Sequence, residues 1–332
     1  METTTLGASG IEASRIGLGT WAIGGWMWGG TDEKASIETI RGAVERGITL
    51  IDTAPVYGFG RSEELVGRAL ADGYRHRVVL ATKLGLEWSE DGTAIRRNSS
   101  PERIRRELHD SLRRLRTDCI DVYQVHWPDG ATPIEETAHA LEDLRREGKI
   151  RAIGVSNYSP EQMAHFADAA PLATAQPPYN LFERGIEADV LPWCREHGVA
   201  VLAYGALCRG LLSGKMTRHR RFEGDDLRRN DPKFRAPRFS QYLAAVRALD
   251  VYANERFGCS VLELALRWVL DQPGVSAALW GARRPGQLAP VKRVFGWRLD
   301  GEAMQRIDTI LSQCVTDPVG PEFMAPPASE AR

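Results

Sequence analysis

An acid, a phenol, an amine and an imidazole are spaced along this chain in a way that could do proton chemistry. Asp52 and Tyr57 lie five residues apart in Asp-Thr-Ala-Pro-Val-Tyr-Gly (52–58), Lys83 ends Ala-Thr-Lys (81–83), and His126 follows Ile120-Asp-Val-Tyr-Gln-Val125. The aspartate, the lysine and the histidine each stand where an apolar, β-branched run stops. Parallel barrel enzymes gather catalytic side chains from the ends of different strands in this way. Tyrosine beside lysine makes a poor metal site and a poor nucleophile. The pair suits a phenol that must release a proton near neutral pH, because a free phenol titrates only near about 10.

The elements that must carry these residues alternate nearly throughout. Strands are expected over Arg15–Trp21, Thr49–Asp52, Val78–Lys83, Ile120–His126, Ile150–Val155, Thr174–Gln176, Ala200–Tyr204 and Val275–Trp280. Between them, helical patterns cover Glu33–Arg46, Ser62–Leu70, Pro101–Arg116, Ile134–Glu147, Pro160–Ala169, Val190–His197, Tyr242–Phe257 and Val261–Leu270. Ser100 can cap the third helix, and Pro101 fits its first turn. Eight strand–helix alternations predict an α/β fold of the (β/α)8 barrel type. The 332 residues read as one domain with no repeat and no linker. Residues 1–14, with the turn signal Ala-Ser-Gly, are expected to form a hairpin closing the barrel bottom. Residues 205–238 are expected to form a long loop over a ligand, since loops of that length are usually lids or disordered. Residues 315–332 read as a Pro-rich C-terminal tail.

Composition narrows the function. Lys+Arg 43 against Asp+Glu 44 gives a formal charge of −1, so no charge excess points to nucleic acid or a membrane surface. No apolar run approaches the roughly 18 residues of a membrane span, and the start lacks the pattern of a signal peptide. Cys119, Cys194, Cys208, Cys259 and Cys314 are scattered without a C-x-x-C pair. That pattern suits a reducing cytoplasm rather than a disulfide framework or a zinc site. No metal and no obligate protein partner are expected.

The motifs together resemble those of the aldo-keto reductases over nearly the whole chain. They are Gly-Leu-Gly-Thr-Trp (17–21), Asp-Thr-Ala-Pro-Val-Tyr-Gly (52–58), Ala-Thr-Lys (81–83), Asp-Val-Tyr-Gln-Val-His-Trp-Pro-Asp (121–129) and Gly-Lys-Ile-Arg-Ala-Ile-Gly-Val-Ser-Asn (148–157). Gln-Pro-Pro-Tyr-Asn (176–180), Tyr-Gly-Ala-Leu-Cys-Arg-Gly-Leu-Leu-Ser-Gly-Lys (204–215) and Gly-Ala-Arg (281–283) continue the match. The later segments resemble a bacterial branch of general stress proteins with reductase activity.

The resemblance implies NADPH-dependent reduction of aldehydes and some ketones. Tyr57 would give the proton, Lys83 would draw the phenol toward phenolate, Asp52 would keep Lys83 charged, and His126 would hold the substrate oxygen. It implies a NADPH/NADP+ site at the barrel mouth. Ser156, Asn157 and Gln176 would hold the carboxamide, and Tyr204 would stack beneath the nicotinamide. Thr20, Trp21, Asp52, Gly205, Ala206, Leu207, Cys208, Gly281, Ala282 and Gln287 would complete that site. Arg209, Lys215 and Arg228 would face the pyrophosphate, and Arg283 or Arg284 the 2′-phosphate. Trp21, Trp88 and Trp127, with Tyr57 and His126, would wall a pocket for a small carbonyl compound. Pro290 and Val291 stand where many members carry a Glu-Asn pair for adenine.

Gly-Leu-Gly-Thr-Trp-Ala (17–22) formally fits the dinucleotide fingerprint G-x-G-x-x-A. No amphipathic helix follows it, and a pyrophosphate-binding turn needs that helix N-terminus. A second reading is a nicotinamide-nucleotide-binding sensor or regulatory subunit with slow turnover. A barrel hydrolase would need paired carboxylates or a histidine cluster at strand ends, and only Asp52 and His126 are available.

Overall fold

The computed structural model describes residues 1–327. Eight parallel strands close into a barrel in the order β3 (Ile16–Gly19), β4 (Leu50–Asp52), β5 (Val79–Leu84), β8 (Ile120–Val125), β9 (Ile150–Ser156), β10 (Thr174–Gln176), β11 (Ala200–Ala203) and β12 (Val275–Gly281). The ring is sealed where β12 pairs with β3, Ala278 opposite Ile16 and Gly281 opposite Gly19. The (β/α)8 expectation holds.

Alternation along each strand decides which residues enter the barrel. Leu50, Val79, Ala81, Val122, Ala152, Ala200, Leu202, Ala277 and Leu279 form an apolar inner core. Ile51, Leu80, Tyr123, Val125, Ile153, Val155 and Val201 point outward and pack into the larger core under the helices. Two residues beyond Leu50, Ala81 and Val122 stand Asp52, Lys83 and Gln124, so the same inward face turns polar at the C-terminal end. Gly17 is required in this interior, because a Cβ there would meet the Leu279 and Leu50 side chains at 2.7 and 2.9 Å.

The hairpin at the bottom pairs β1 (Thr3–Thr5) antiparallel with β2 (Glu12–Ser14). Leu6, Ile11 and Ala13 are buried from it into the inner barrel core. Ser14 and Thr49 exchange two hydrogen bonds at 2.8 Å, which stitch the plug to the start of β4.

Around the barrel lie α2 (Glu33–Glu45), α3 (Arg61–Ala69), α4 (Pro101–Leu115), α5 (Ile134–Arg146), α6 (Pro160–Ala169), α7 (Val190–Glu196), α8 (Arg238–Phe257), α9 (Val261–Asp271) and α10 (Gly301–Cys314). Capping boxes at Ser159–Gln162 and Ser260–Glu263 fix the starts of α6 and α9. The first barrel strand is shorter than expected: it stops at Gly19, and Trp21 opens the single-turn helix α1 (Trp21–Gly24). Gly17 and Gly19 are therefore strand residues, with no phosphate-binding turn between them. The stretch after β5 carries a hairpin, β6 (Leu86–Trp88) with β7 (Ile95–Arg97), that the strand pattern does not predict. Segment 205–238 holds short turns of 3-10 helix at Cys208–Ser213, Leu227–Arg229 and Pro232–Phe234. Part of the expected tail lies outside the described residues, and residues 317–327 continue past α10, touching Lys233, Arg209 and Arg97.

Candidate active site

The polar layer at the C-terminal end of the barrel converges on one carboxylate. Lys83 Nζ donates to Asp52 Oδ2 at 2.7 Å and to the Thr53 carbonyl at 3.0 Å. Gln176 Nε2 donates to Asp52 Oδ1 at 2.8 Å, and Gln124 Nε2 does so at 3.4 Å. Asp52 and Lys83 are 3% and 1% exposed, so this ion pair works in a low-dielectric setting. Gln124 is absent from the sequence reading. Its signal is register: it sits opposite Lys83 in the β5–β8 ladder and so must share the inward face.

Tyr57 lies above this layer, on the turn between β4 and α3. Its ring stacks on Trp21, centroids 5.9 Å apart and 24° between planes, and meets His126 edge-on at 5.7 Å. Lys83 Nζ sits 5.1 Å from the centre of the phenol ring. The Tyr57 hydroxyl donates to no protein group among the described residues. Burial first, and Asp52 second, hold this phenol well above its ordinary range. In this structure burial and Asp52 outweigh the pull of Lys83 toward phenolate. Asp52, 2.7 Å from the ammonium, spends much of its positive field. Burial also lowers Lys83, against the raising effect of Asp52. Burial and then Lys83 keep His126 well below the usual imidazole range, so its ring is neutral.

A second polar set stands beside the first. Asn157, at φ 60°, donates from Nδ2 to the His126 carbonyl at 2.9 Å and to Ser156 Oγ at 3.0 Å. Tyr204 donates its hydroxyl to Asn157 Oδ1 at 2.9 Å, and Ser156 Oγ donates to the Gln176 carbonyl at 2.7 Å. Gln176 spends both its amide hydrogen bonds as donors, which leaves its Oε1 as an acceptor without a protein partner among the described residues. A carboxamide needs acceptors for its NH2 and donors for its oxygen; Gln176 Oε1 is open as an acceptor, while the donors of Ser156, Asn157 and Gln176 are spent within the set. Thr20 is buried and holds the site from behind, its hydroxyl 2.9 Å from the Asp52 carbonyl.

The cations of the mouth divide into two groups. Arg209 is buried, not open: Nε donates to Asp231 at 2.6 Å and Nη2 pairs with Glu183. Lys233 joins that cluster at 2.8 Å from Glu183. Arg228 is held by both oxygens of Asp226 and lies over the Phe222 ring at 4.4 Å. Arg283 donates to the Trp28 carbonyl at 2.8 Å and to the Gly30 carbonyl. Lys215 and Arg284 are exposed, with no ion pair among the described residues. The backbone N–H groups of Arg283 and Arg284 both donate to Gln287 Oε1, at 2.8 and 2.9 Å. These two N–H groups are therefore not open to an anion in this structure. Segment 205–238 reaches across the mouth: Met27 N donates to Asp225 at 2.7 Å, and Leu227 N to the Met27 carbonyl at 3.0 Å. Neither Asp225 nor Glu183 is visible from the sequence pattern, because a carboxylate in a charged loop reads as solvated.

Trp21, Trp127, Tyr57 and Leu86 belong to one apolar cluster at this mouth. Trp88 joins it through Phe59, 5.6 Å away, and also lines a separate 230 Å³ cavity with Arg103, Glu107, Asp110 and Arg114. The Cys208 thiol is buried and pushed up to about 12, which leaves it inert. No group of metal-ligating side chains occurs among the described residues, and no helix of theirs is long and apolar enough to cross a membrane.

A closed parallel barrel with a buried Asp–Lys pair beneath a tyrosine and a histidine defines a class of oxidoreductase. The chain belongs to the aldo/keto reductase family, whose model matches residues 15–312. It is 60% identical over 331 residues, 99% of each chain, to the aldo-keto reductase YhdN of Bacillus subtilis. It is 39% identical to the NADH-specific methylglyoxal reductase of Escherichia coli, over 87% of this chain and 91% of that one. Among solved structures, it superimposes on the glycerol dehydrogenase AKR11B4 of Gluconobacter oxydans with a TM-score of 0.86 and 57% identity, over 95% and 96% of the two chains. An aldo/keto reductase from Klebsiella pneumoniae, in complex with NADP and acetate, matches at 32% identity and a TM-score of 0.72, over 94% and 96% of the chains.

Proposed function

We propose that this aldo-keto reductase reduces small aldehydes and some ketones with NADPH, using Tyr57 as proton donor. The observation that carries the reading is Tyr57: a buried residue whose hydroxyl has no protein partner among the described residues, with Lys83 Nζ 5.1 Å and the His126 ring 5.7 Å from its ring centre. The bound nicotinamide would supply the hydride. Ser156, Asn157 and Gln176 would hold its carboxamide and Tyr204 would lie against its ring. The protein's own work is then positional and electrostatic. Neutral His126 donates one N–H to the carbonyl oxygen and places it at the phenol. Tyr57 passes its proton to that oxygen as negative charge develops there. Lys83, fixed by Asp52, stabilises the phenolate left behind. Trp21 and Trp127 exclude water from the reacting atoms. Segment 205–238 serves as the cofactor clasp. The direct test is loss of NADPH absorbance with an aldehyde panel; absence of turnover would favour a nucleotide sensor.

The pH dependence follows from the direction of the two shifts. A phenol raised above its usual value stays protonated through the neutral range, and an imidazole lowered below its usual value stays neutral there. Reduction, which uses both in those forms, should stay flat from about pH 6.5 to about pH 9. Alcohol oxidation needs phenolate, so it should climb with pH across the same range. A reduction rate falling steeply between neutral pH and pH 9 would mean that Tyr57 is not the acid.

Cofactor choice rests on cations. The exposed Arg284 is the freest of them beside the β12 end, since Arg283 is occupied by backbone carbonyls. Charge-assisted hydrogen bonds are worth roughly 1.5–3 kcal/mol each. Arg284→Ala should weaken NADPH by about tenfold or more and leave NADH within about twofold. Equal weakening of both, by fluorescence titration, would place the 2′-phosphate elsewhere and make Lys215 the next residue to vary.

A further inference from the structure

The C-terminal segment touches two parts of the mouth, the 205–238 segment and the β6–β7 hairpin. Leaving α10, it passes α8, where Arg238 pairs with Asp317 at 2.5 Å. The Gly320 carbonyl accepts from Lys233 Nζ at 2.8 Å. Phe323 then lies against the guanidinium of Arg209, 5.4 Å from its ring centre, and Met324 Sδ is 3.8 Å from Arg209 Nη1. Arg209 and Lys233 stand near the two ends of the clasp, held by Glu183 and Asp231. The segment therefore rests on the clasp's root.

Its other end reaches the β6–β7 hairpin. Arg97, the last residue of β7, donates from Nε and Nη2 to the Pro326 carbonyl at 3.1 and 2.5 Å. From Nη1 it donates to the Pro128 carbonyl at 3.0 Å, and its guanidinium covers the Trp127 ring at 5.1 Å. Trp127 directly follows His126. One planar fork thus ties together the hairpin, the loop after the β8 end and the C-terminal segment. A guanidinium can do this because its N–H donors are fixed in one plane, whereas an ammonium is a point donor.

We infer that Arg97 is a positioning residue that sets carbonyl specificity: it holds 321–326 as a wall of the substrate pocket beside Trp127 and, through that segment, links the pocket to the root of the cofactor clasp. The inference rests on the reading of the site as a carbonyl reductase. Freed from Arg97, the wall loses the fork that fixes it and the pocket widens. Small aldehydes lose their fit, while bulky ones gain room.

The test compares Arg97→Met, Arg97→Lys, a chain ending at Gly320, and that shortened chain carrying Arg97→Met. Propanal and 4-nitrobenzaldehyde are the substrates, and NADPH release is followed by stopped flow. Arg97→Met should raise KM for propanal by about tenfold, with kcat within about threefold, as loss of a charge-assisted hydrogen bond would do. The kcat/KM ratio should move toward 4-nitrobenzaldehyde. Arg97→Lys should recover part of the propanal KM. The shortened chain, which keeps the Lys233–Gly320 bond, should show the same shift, and adding Arg97→Met to it should move the substrate ratio by less than it does in the full chain. NADPH release should quicken in Arg97→Met and in the shortened chain alike. An unchanged substrate ratio in an active Arg97→Met enzyme would overturn the specificity role, and additive losses in the combined variant would do the same. Unchanged NADPH release would overturn the link to the clasp. A wild-type protein that turned over neither aldehyde would refute the reductase reading instead, and the release measurement would still decide the link.

Discussion

Replacing Tyr57 by phenylalanine should lower carbonyl reduction by about a hundred- to ten-thousand-fold, the range proton-transfer catalysis typically supplies. The substitution is unusually clean at this position. The ring keeps its stacking on Trp21 and its edge contact with His126. The lost hydroxyl has no protein partner among the described residues, so nothing buried is left unsatisfied. Fold and cofactor affinity should change little, and a fluorescence titration of NADPH should give a Kd within about twofold of wild type. The assay is steady-state turnover with an aldehyde at saturating NADPH. A variant that retained more than about a tenth of the wild-type rate would show that the proton comes from another group.

Lys83→Met is expected to damage two properties at once. Removing one partner of a buried ion pair leaves an uncompensated charge, which typically costs about 3–5 kcal/mol. Asp52 would keep only its amide donors, Gln124 and Gln176, so chemical denaturation should show a large stability loss. Adding Asp52→Asn removes the stranded charge and should recover much of that stability. Activity should not return with it, because the cation beside the phenolate is still missing. Combined with Tyr57→Phe, Lys83→Met should add little further loss of rate, since the lysine acts through the phenol. Full additivity of the two rate losses would give Lys83 a role independent of Tyr57.

The strands, Asp52, Lys83 and His126 are legible in the sequence because they follow from a period of two, whereas Tyr57, on the turn after β4, is legible only from its motif. An apolar run that alternates inward and outward must end, and the residue at the end of an inward row faces the barrel mouth. Asp52, Lys83 and Gln124 obey that rule, although Gln124 emerges only when the β5–β8 register is known. The β6–β7 hairpin carried a readable signal in Asp91-Gly92, a strong hairpin dipeptide. Its strands are too short and mixed to stand out beside the barrel runs. The cations of segment 205–238 are the hardest case. Arg209, Lys215 and Arg228 look alike in a charged loop, yet Arg209 is buried on Glu183 and Asp231, Arg228 is tied to Asp226, and Lys215 is exposed. Which of them faces a ligand depends on carboxylates that only folding brings near. Lys83 teaches the same lesson about charge: its effect on Tyr57 cannot be judged from identity, because a carboxylate 2.7 Å away competes for its field.

The Asp52 carboxylate takes hydrogen bonds from β5, β8 and β10, and Gln176 reaches it across 124 residues of chain. The hub is thus owned by neither half of the polypeptide. A chain still emerging from the ribosome would have its acid and its lysine long before Gln176, and longer still before β12 arrives to pair with β3. Until then the barrel has an open edge and the polar layer has no fixed floor. A chain lacking β12 should therefore show no turnover in the reductase assay, since without that seam the ring does not close beneath the polar layer.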